Sequence, residues 1–157
     1  MILVKLDKGA IMPKRGRKGD AGLDLFLSED TVIMPRGKAK GETGVHIAIP
    51  EDYEATVRPR SGISLNGCGN CLDSDGNIIT ADIEVVLGTV DSNYRGSIGI
   101  IIRSFEDRVI TIPKGTKIAQ LVVSSVCTDE VNLVDELDDS NRGSDGFGSS
   151  GLHDINL

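Results

Sequence analysis

Aromatic side chains are scarce in this chain of 157 residues, which contains no Trp, two Tyr and three Phe. A core with so few rings is filled by Ile, Val and Leu instead. A ring that stands in a polar, glycine-rich segment is then a candidate for ligand contact, and Tyr94 and Phe147 stand in such segments. For Tyr94 the alternative is an ordinary position at a strand edge.

Cations are also in deficit, because 17 Lys and Arg face 24 Asp and Glu and give a net charge of −7. Binding to nucleic acid irrespective of its sequence requires clustered Lys and Arg that release counterions. The composition therefore excludes a surface of that kind, and direct nucleic-acid partners are not expected. Any phosphate that the chain binds should be small and held locally.

Long apolar segments are missing as well. No stretch approaches the roughly 20 apolar residues of a membrane-spanning helix, and the apolar run at residues 1–6 is too short for a signal peptide. We therefore expect one soluble domain in the cytoplasm, without a membrane partner.

Cysteine is represented by three residues, an odd number that favours free thiols over a disulfide framework in a chain without an export signal. Cys68 and Cys71 have C-x-x-C spacing, but a structural zinc site needs four ligands and no second pair follows. We interpret them as incidental cysteines at a hairpin tip, with a metal or redox role as the alternative.

Short runs rich in Val, Ile and Thr are abundant, and each is bounded by Gly, Pro, Asn or Asp. Helical periodicity is nearly absent, although one short helix fits either near the start of the chain or at residues 61–65. Closely spaced short strands predict an all-β barrel or jelly-roll sandwich. The predicted strands are residues 2–6, 22–27, 31–34, 45–49, 55–58, 78–83, 84–87, 98–102, 109–112 and 117–126.

The end of the chain has a different composition. Residues 129–141 are dense in Asp and Glu, and residues 142–151 combine Gly and Ser with one Arg and one Phe. Glycines allow a close approach of the backbone, hydroxyls and Arg donate to phosphate oxygens, and Phe offers a flat face to a base. This segment predicts binding of a nucleotide polyphosphate; a disordered linker is the alternative.

Five segments, taken in order, resemble the motifs of the trimeric dUTPases. They are AGLDL at residues 21–25, PRSG at 59–62, GTVDSNYRG at 88–96, GTKIAQLV at 115–122 and the segment 142–151. Each alone is weak, but together they span nearly the whole chain. The resemblance implies a jelly-roll-like distorted β-barrel, a homotrimer with shared active sites and a flexible C-terminal arm. It also implies hydrolysis of dUTP to dUMP and pyrophosphate, which limits uracil in DNA and supplies dUMP for dTMP synthesis.

The resemblance also implies residue roles. Asp91 matches the general base that activates water for attack on the α-phosphorus; without the resemblance, a turn-capping side chain is the alternative. Tyr94 matches the ring that packs under the deoxyribose and leaves no room for a 2′-hydroxyl. The uracil would be read by main-chain groups of Gly88, Thr89, Val90 and Gly99. Val85 stands where some members of the family have an Asn that contacts uracil.

The triphosphate is expected to contact the PRSG motif, the GTKIAQLV motif and the C-terminal segment 142–151. The matching residues are Arg60, Ser61, Gly62 and Gln120, and from the tail Arg142, Phe147 (stacking on uracil), Gly148, Ser149 and Ser150. The cofactor would be Mg²⁺ carried by the triphosphate oxygens and water, with Asp24 reaching it through water only.

The expected division is a barrel core at residues 1–128, with an inserted loop at about 66–80, and a connector with its arm at 129–157. The segment between Ser61 and Asp91 is longer than in compact members of the family, and we interpret the excess as an extended surface hairpin or loop. This length favours a viral or phage variant.

Three alternatives stay open. A dCTP deaminase of the same fold is disfavoured, because Ile101 stands where such enzymes have a Glu base and an aliphatic side chain cannot move a proton. A regulatory module could bind another protein through the inserted loop. A plain β structural module is the third alternative.

Overall fold

The computed structural model describes residues 1–145 and consists almost entirely of short strands. They are β1 (Leu3–Leu6), β2 (Gly22–Phe26), β3 (Thr31–Ile33), β4 (Lys38–Glu42), β5 (Val45–Ala48), β6 (Tyr53–Pro59), β7 (Cys68–Asp73), β8 (Ile78–Ala81), β9 (Ile83–Val85), β10 (Gly88–Val90), β11 (Gly99–Ser104), β12 (Ile110–Ile112) and β13 (Lys117–Ser125); one helix, α1, spans Ser61–Asn66. The predicted all-β class is confirmed.

Four antiparallel sheets wrap around one core as a distorted, jelly-roll-like barrel. Their strand orders are β1-β5, β10-β6-β13-β2, β4-β11-β9 and β3-β12-β7-β8. The core is aliphatic, as the scarcity of rings predicts, and its largest fully buried side chains are Leu25, Leu27, Ile33, Ile98, Ile100, Ile102, Ile110, Ile112, Ile118, Leu121, Val45 and Val57.

Strand β13 brings distant motifs together because it pairs on both edges. Its Gln120 lies opposite Asp24 of β2 on one side and Arg58 of β6 on the other. The adjacent Leu121 is fully buried, so the alternation of the strand leaves Gln120 on the outer face. Three segments far apart in sequence thus meet on one surface.

Strands β4, β7 and β10 were not predicted as strands from the sequence, and β7 lies where only an extended hairpin or loop was expected. Strand β4 reads KAKGE, without the β-branched residues that mark strands, and its Gly41 lies so close to the core that a Cβ there would be 2.5 Å from Leu27 Cδ2. Strand β10 has only three residues. The predicted strands at 78–83 and 84–87 are wrong in their bounds, because the structure has separate strands at Ile78–Ala81, Ile83–Val85 and Gly88–Val90, each in a different sheet.

The extra segment forms the β7–β8 hairpin, and β7 also pairs with β12. Its tip is built on Asp73, whose carboxylate accepts from the Asp75 and Asn77 amides at 3.0 and 2.9 Å. The prediction that the cysteines occupy the tip is wrong: Cys68 and Cys71 lie in β7, 2% and 0% exposed. They are core residues, and all three cysteines are free.

The last strand ends at Ser125, and the described residues beyond it, 126–145, form neither helix nor strand. The predicted ligand residues Phe147, Gly148, Ser149 and Ser150 lie outside the described residues. Within the described part, the chain has no helix with the length and apolarity needed to cross a membrane.

Candidate active site

The phosphate-motif residues line one cavity of about 470 Å³, at the meeting point of β2, β6 and β13. Four residues predicted to contact phosphate and the predicted metal-side carboxylate lie there together: Arg60, Ser61, Gly62, Gln120 and Asp24. Arg60 caps the start of α1, and Ser61 and Gly62 form its first turn. The structure therefore gathers motifs that are 96 residues apart at their extremes, from Asp24 to Gln120.

Asp24 is the electrostatic centre of this cavity. Its side chain is 14% exposed, and its two oxygens lie 3.2 Å from Arg60 Nε and 3.0 Å from Lys117 Nζ. Lys117 was not singled out by the sequence analysis, although it belongs to the GTKIAQLV segment. A carboxylate paired with two cations holds their side chains in place, and the three side chains together bring one net positive charge to the lining of the cavity.

Gln120 is fixed by its neighbours. Its Nε2 donates to the Pro59 carbonyl at 2.9 Å, and a Cβ at Gly22 would overlap its Oε1. Glycine at position 22 therefore makes room for the amide side chain beside the strand that carries Asp24.

A basic loop forms the remaining wall. Arg17 and Gly16 line the cavity beside Asp20, whose carboxylate accepts from the Arg17 amide at 2.7 Å. A sequence signal exists for this loop, because residues 14–18 contain four cations in a chain of net charge −7. The loop adds positive charge to a cavity already suited to a polyanion.

A second, smaller cavity of about 150 Å³ lies beside the turn after β10. It is lined by Thr89, Val90, Asp91, Tyr94, Ser97, Ile98 and Gly99. Gly88 pairs with Val57 in the sheet and stands just outside this lining. Ser97 Oγ is the one buried side-chain polar atom of residues 1–145 without a partner, and no pattern in the sequence points to it.

Tyr94 is held against its own turn. Its hydroxyl donates to the Ser97 carbonyl at 3.1 Å, and its ring covers Gly96 so closely that any Cβ there would overlap it. The ring is 45% exposed, so one side packs on the turn and the other is open to a ligand.

Asp91 lies at the mouth of this pocket and also lines a neighbouring cavity with Glu51 and Glu54. Its carbonyl accepts from the Tyr94 amide at 3.0 Å, which closes the turn. No donor within residues 1–145 binds its exposed carboxylate, which is therefore available to a water molecule.

The two cavities lie toward opposite ends of β6. Val90, just before Asp91, pairs with Ala55, and Arg60 follows the other end of that strand. The five positions from residue 55 to residue 60 correspond to about 17 Å at the rise of an extended strand. The Asp91 of one chain therefore does not lie beside the Arg60 cluster of the same chain.

Two further positions match their sequence-based interpretation. Val85 is 3% exposed and belongs to the core, so its side chain is not available to a ligand. Ile101 is 46% exposed on β11, an aliphatic group without acid–base function. Arg142 does not line either cavity in this chain; its Nε donates to the Asp145 carbonyl at 2.8 Å.

An all-β barrel that keeps a cationic, polyanion-sized cavity apart from a narrow pocket with an exposed carboxylate belongs to the class of nucleotide hydrolases. A family model described as dUTPase matches residues 8–151. The chain belongs to the dUTPase family.

Individual relatives agree with this assignment. The deoxyuridine 5′-triphosphate nucleotidohydrolase of Gloeothece citriformis is 41% identical over 96% of this chain and 95% of its own length. The dUTPase of Staphylococcus bacteriophage 80alpha, solved with dUPNHPP, is 31% identical with a TM-score of 0.82, covering 97% of this chain and 99% of that one. A mutant dUTPase of S. aureus phage phi11, described with a structural Mg(II) ion, is 28% identical with a TM-score of 0.73 over 87% and 97% of the two chains.

Proposed function

We propose that this chain hydrolyses dUTP to dUMP and pyrophosphate, and so limits uracil in DNA and supplies dUMP for dTMP synthesis. The observation that carries the proposal is the gathering of Arg60, Ser61, Gly62 and Gln120 around one cationic cavity, in a chain whose separate pocket presents Asp91 and Tyr94. The names of the relatives supply the substrate.

The chemical step assigns one proton transfer to Asp91. Its carboxylate accepts a proton from a water molecule as the water oxygen forms a bond to the α-phosphorus. The bond between that phosphorus and the bridging oxygen to the β-phosphate breaks, and pyrophosphate leaves with the electron pair. The absence of a competing donor to this carboxylate within residues 1–145 supports the role.

The smaller pocket, beside the turn after β10, selects the base and the sugar. Main-chain groups of Gly88, Thr89, Val90 and Gly99 read the polar edge of uracil, and cytosine leaves those groups unpaired. Tyr94 packs under the deoxyribose and excludes a 2′-hydroxyl by contact. The buried position of Val85 supports recognition by the backbone alone.

The triphosphate is bound by the larger cavity. Arg60 supplies a fork of donors and Ser61 a hydroxyl. Gly62 offers an open backbone, because a Cβ at this position would have no other atom within 4 Å. Gln120 completes the set. Arg142, Phe147, Gly148, Ser149 and Ser150 are proposed to close over the γ-phosphate and the base.

Mg²⁺ fits this site only as a companion of the substrate. Both Asp24 oxygens are already paired with cations, and no cluster of three or more acidic, His or Cys side chains in residues 1–145 could hold a metal ion. Asp24 would therefore reach the ion through water, with the remaining ligands from phosphate and solvent. When bound, the ion neutralises triphosphate charge.

Active sites shared between subunits follow from the separation of the two cavities. The Asp91 pocket and the Arg60 cavity lie toward opposite ends of β6, about 17 Å apart along the strand, and we propose that another copy supplies the missing half of each site. Large apolar side chains are exposed on the single chain, including Leu65 at 83% and Leu87 at 65%. We propose a homotrimer, the number of subunits resting on the family resemblance.

The expected division into a core at 1–128 and a connector with its arm at 129–157 remains a prediction, as does a protein partner at residues 66–80. A cytoplasmic location is proposed from the three free cysteines, which suit a reducing compartment.

The test is pyrophosphate release from dUTP, dCTP, dTTP and UTP at equal concentration. We expect turnover of dUTP far above that of the others. Comparable turnover of all four would contradict the assigned pocket, and release of ammonia from dCTP would favour the deaminase alternative.

A further inference from the structure

His46 on β5 bridges the N-terminal segment and the turn that carries Asp91. Its Nδ1 lies 2.9 Å from the Arg95 carbonyl and its Nε2 lies 3.0 Å from Asp7 Oδ2. The side chain is 19% exposed. Because both ring nitrogens have partners, the ring is fixed in position and links the N-terminal segment to the turn that contains Arg95.

Both partners of this ring accept hydrogen bonds. A carbonyl oxygen has no proton to give, and a carboxylate at neutral pH has none either. Both ring nitrogens must therefore donate, which only the imidazolium form does. A neutral ring keeps one of the two bonds and turns a lone pair toward the other acceptor.

The Arg95 carbonyl, which is bonded to His46, lies near the middle of the turn of residues 91–97 that carries Asp91 and Tyr94. The guanidinium of the same residue, Arg95, donates to the carbonyls of Ser92 at 2.6 Å and Tyr94 at 2.8 Å. The Tyr94 amide in turn bonds to the Asp91 carbonyl. A chain of hydrogen bonds through Arg95 therefore connects His46 to the residues that position Asp91 and Tyr94.

We propose that protonated His46 is a positioning residue for the turn of residues 91–97, and that loss of its proton sets an alkaline limit on catalysis. This inference rests on the proposed function, because the turn is the one that carries the proposed base. His46 touches no reacting atom.

The charged groups that border the ring come from three segments. Asp7 precedes it in the N-terminal segment, Lys5 is its cross-strand partner on β1, and Arg95 lies on the turn. The Arg95 carbonyl raises the pKa of His46 above 6.5, and Asp7 raises it further; partial burial and the like charge of Lys5 oppose this.

The sign of the pH dependence follows. A His whose pKa is raised in the folded protein contributes fully below its unfolded value of about 6.5, and the contribution is lost as the pH rises through the raised value. The turn should therefore loosen on the alkaline side, and catalysis should not suffer from this residue in mild acid.

The first measurement is a histidine side-chain NMR titration of the full chain. The chain has two histidines, so His153→Gln leaves His46 as the single signal. We expect a midpoint above 6.5 with both ring nitrogens protonated at neutral pH. A midpoint at or below 6.5 would overturn the proposal whether or not dUTP is hydrolysed.

The second measurement compares pH profiles of kcat/KM for two variants that leave the ring in place. Asp7→Asn removes the carboxylate and should move the NMR midpoint and the alkaline limb down together by about one pH unit. Lys5→Gln removes the opposing charge and should move both up. Lys38→Gln, on β4, makes the same charge change elsewhere and should move neither.

If His46 had only a structural role, the Asp7→Asn and Lys5→Gln variants would lose activity, but the alkaline limbs of their pH profiles would not move in opposite directions. An alkaline limb that stays fixed while the NMR midpoint moves would exclude His46 as its cause. Absence of dUTP hydrolysis at every pH would instead refute the proposed function, and the NMR midpoint would still report on the charge of the ring. Thermal melting of each variant checks folding.

Discussion

Two side chains of the proposed site are held in place, one by partners far away in the sequence and one by its own turn. Asp24 is clamped by Arg60 and Lys117, and Tyr94 is held by its contact with Gly96 and its bond to Ser97. Asp91, in contrast, presents a carboxylate with no donor from residues 1–145. A fixed surrounding with one unsatisfied acceptor is what a general base requires, because the base has to accept from water.

Replacing Asp91 with Asn is expected to lower kcat for dUTP by about two to four orders of magnitude, the usual range for loss of a general base, with little change in binding. Steady-state pyrophosphate release and equilibrium binding of a non-hydrolysable dUTP analogue measure the two quantities. Glu51→Gln is the matched control, because Glu51 lines a cavity with Asp91. An equal loss in both variants would point to the local field instead of proton transfer.

Tyr94→Ala is expected to raise the kcat/KM for UTP relative to that for dUTP, since removal of the ring makes room for a 2′-hydroxyl. Tyr94→Phe keeps the ring, loses only the bond to the Ser97 carbonyl and should retain discrimination. The ratio of the two kcat/KM values, measured for each variant, decides the matter; an unchanged ratio in Tyr94→Ala would remove the steric explanation.

At the scale of elements, strand β13 organises the phosphate cavity because it lies between β2 and β6. The last strand of the described residues, β13, ends at Ser125, and we expect the C-terminal arm to follow a core that is already complete. Its predicted contacts are with the ligand, and its contribution should therefore be found in catalysis and not in stability.

A chain ending after Asn141 is expected to keep its melting temperature and oligomeric state and to lose most of its turnover, because the γ-phosphate loses its positioning and its shield from water. Steady-state kinetics and thermal melting of both proteins provide the comparison. A chain ending after Gly151 keeps the whole motif and should behave like the full chain. Equal activity after the shorter truncation would show that the arm is a linker.

At the scale of the whole molecule, a single chain carries two separate cavities, and we propose that each is half of an active site. The distance of about 17 Å between the two ends of the β6 register separates the Asp91 pocket from the Arg60 cavity. The exposed Leu65 and Leu87 supply apolar surface that subunit contacts would cover. In the proposed trimer, catalysis is a property of the assembly.

Subunit mixing tests this arrangement. Asp91→Asn and Arg60→Ala chains should each be nearly inactive, but co-refolded mixtures should regain activity, because some sites combine an intact Asp91 with an intact Arg60 from another subunit. Mixing Asp91→Asn with the double variant, which offers no such combination, is the control. Mixtures no more active than their components would show that each site uses one chain.

The sequence alone determined the fold class and indicated the family. The short runs indicated the fold class, since their brevity, their enrichment in Val, Ile and Thr and their flanking turn residues favour strands over buried helices. The five motifs indicated the family and named ten residues that the structure gathers into two cavities: Asp24, Arg60, Ser61, Gly62 and Gln120 in one, and Thr89, Val90, Asp91, Tyr94 and Gly99 in the other. Local pattern was sufficient for these, because each depends on residues close in sequence.

Only the tertiary structure decided the rest. Strand β4 is polar and β10 is short, so their pairing depends on neighbours and not on propensity. The cysteines are buried because β7 joins a sheet, which C-x-x-C spacing does not reveal. The roles of Lys117 and His46 come from contacts between distant segments, namely the 3.0 Å approaches of Lys117 to Asp24 and of His46 to Asp7. Such contacts arise when sheets close into a barrel, and no local pattern in the chain encodes them.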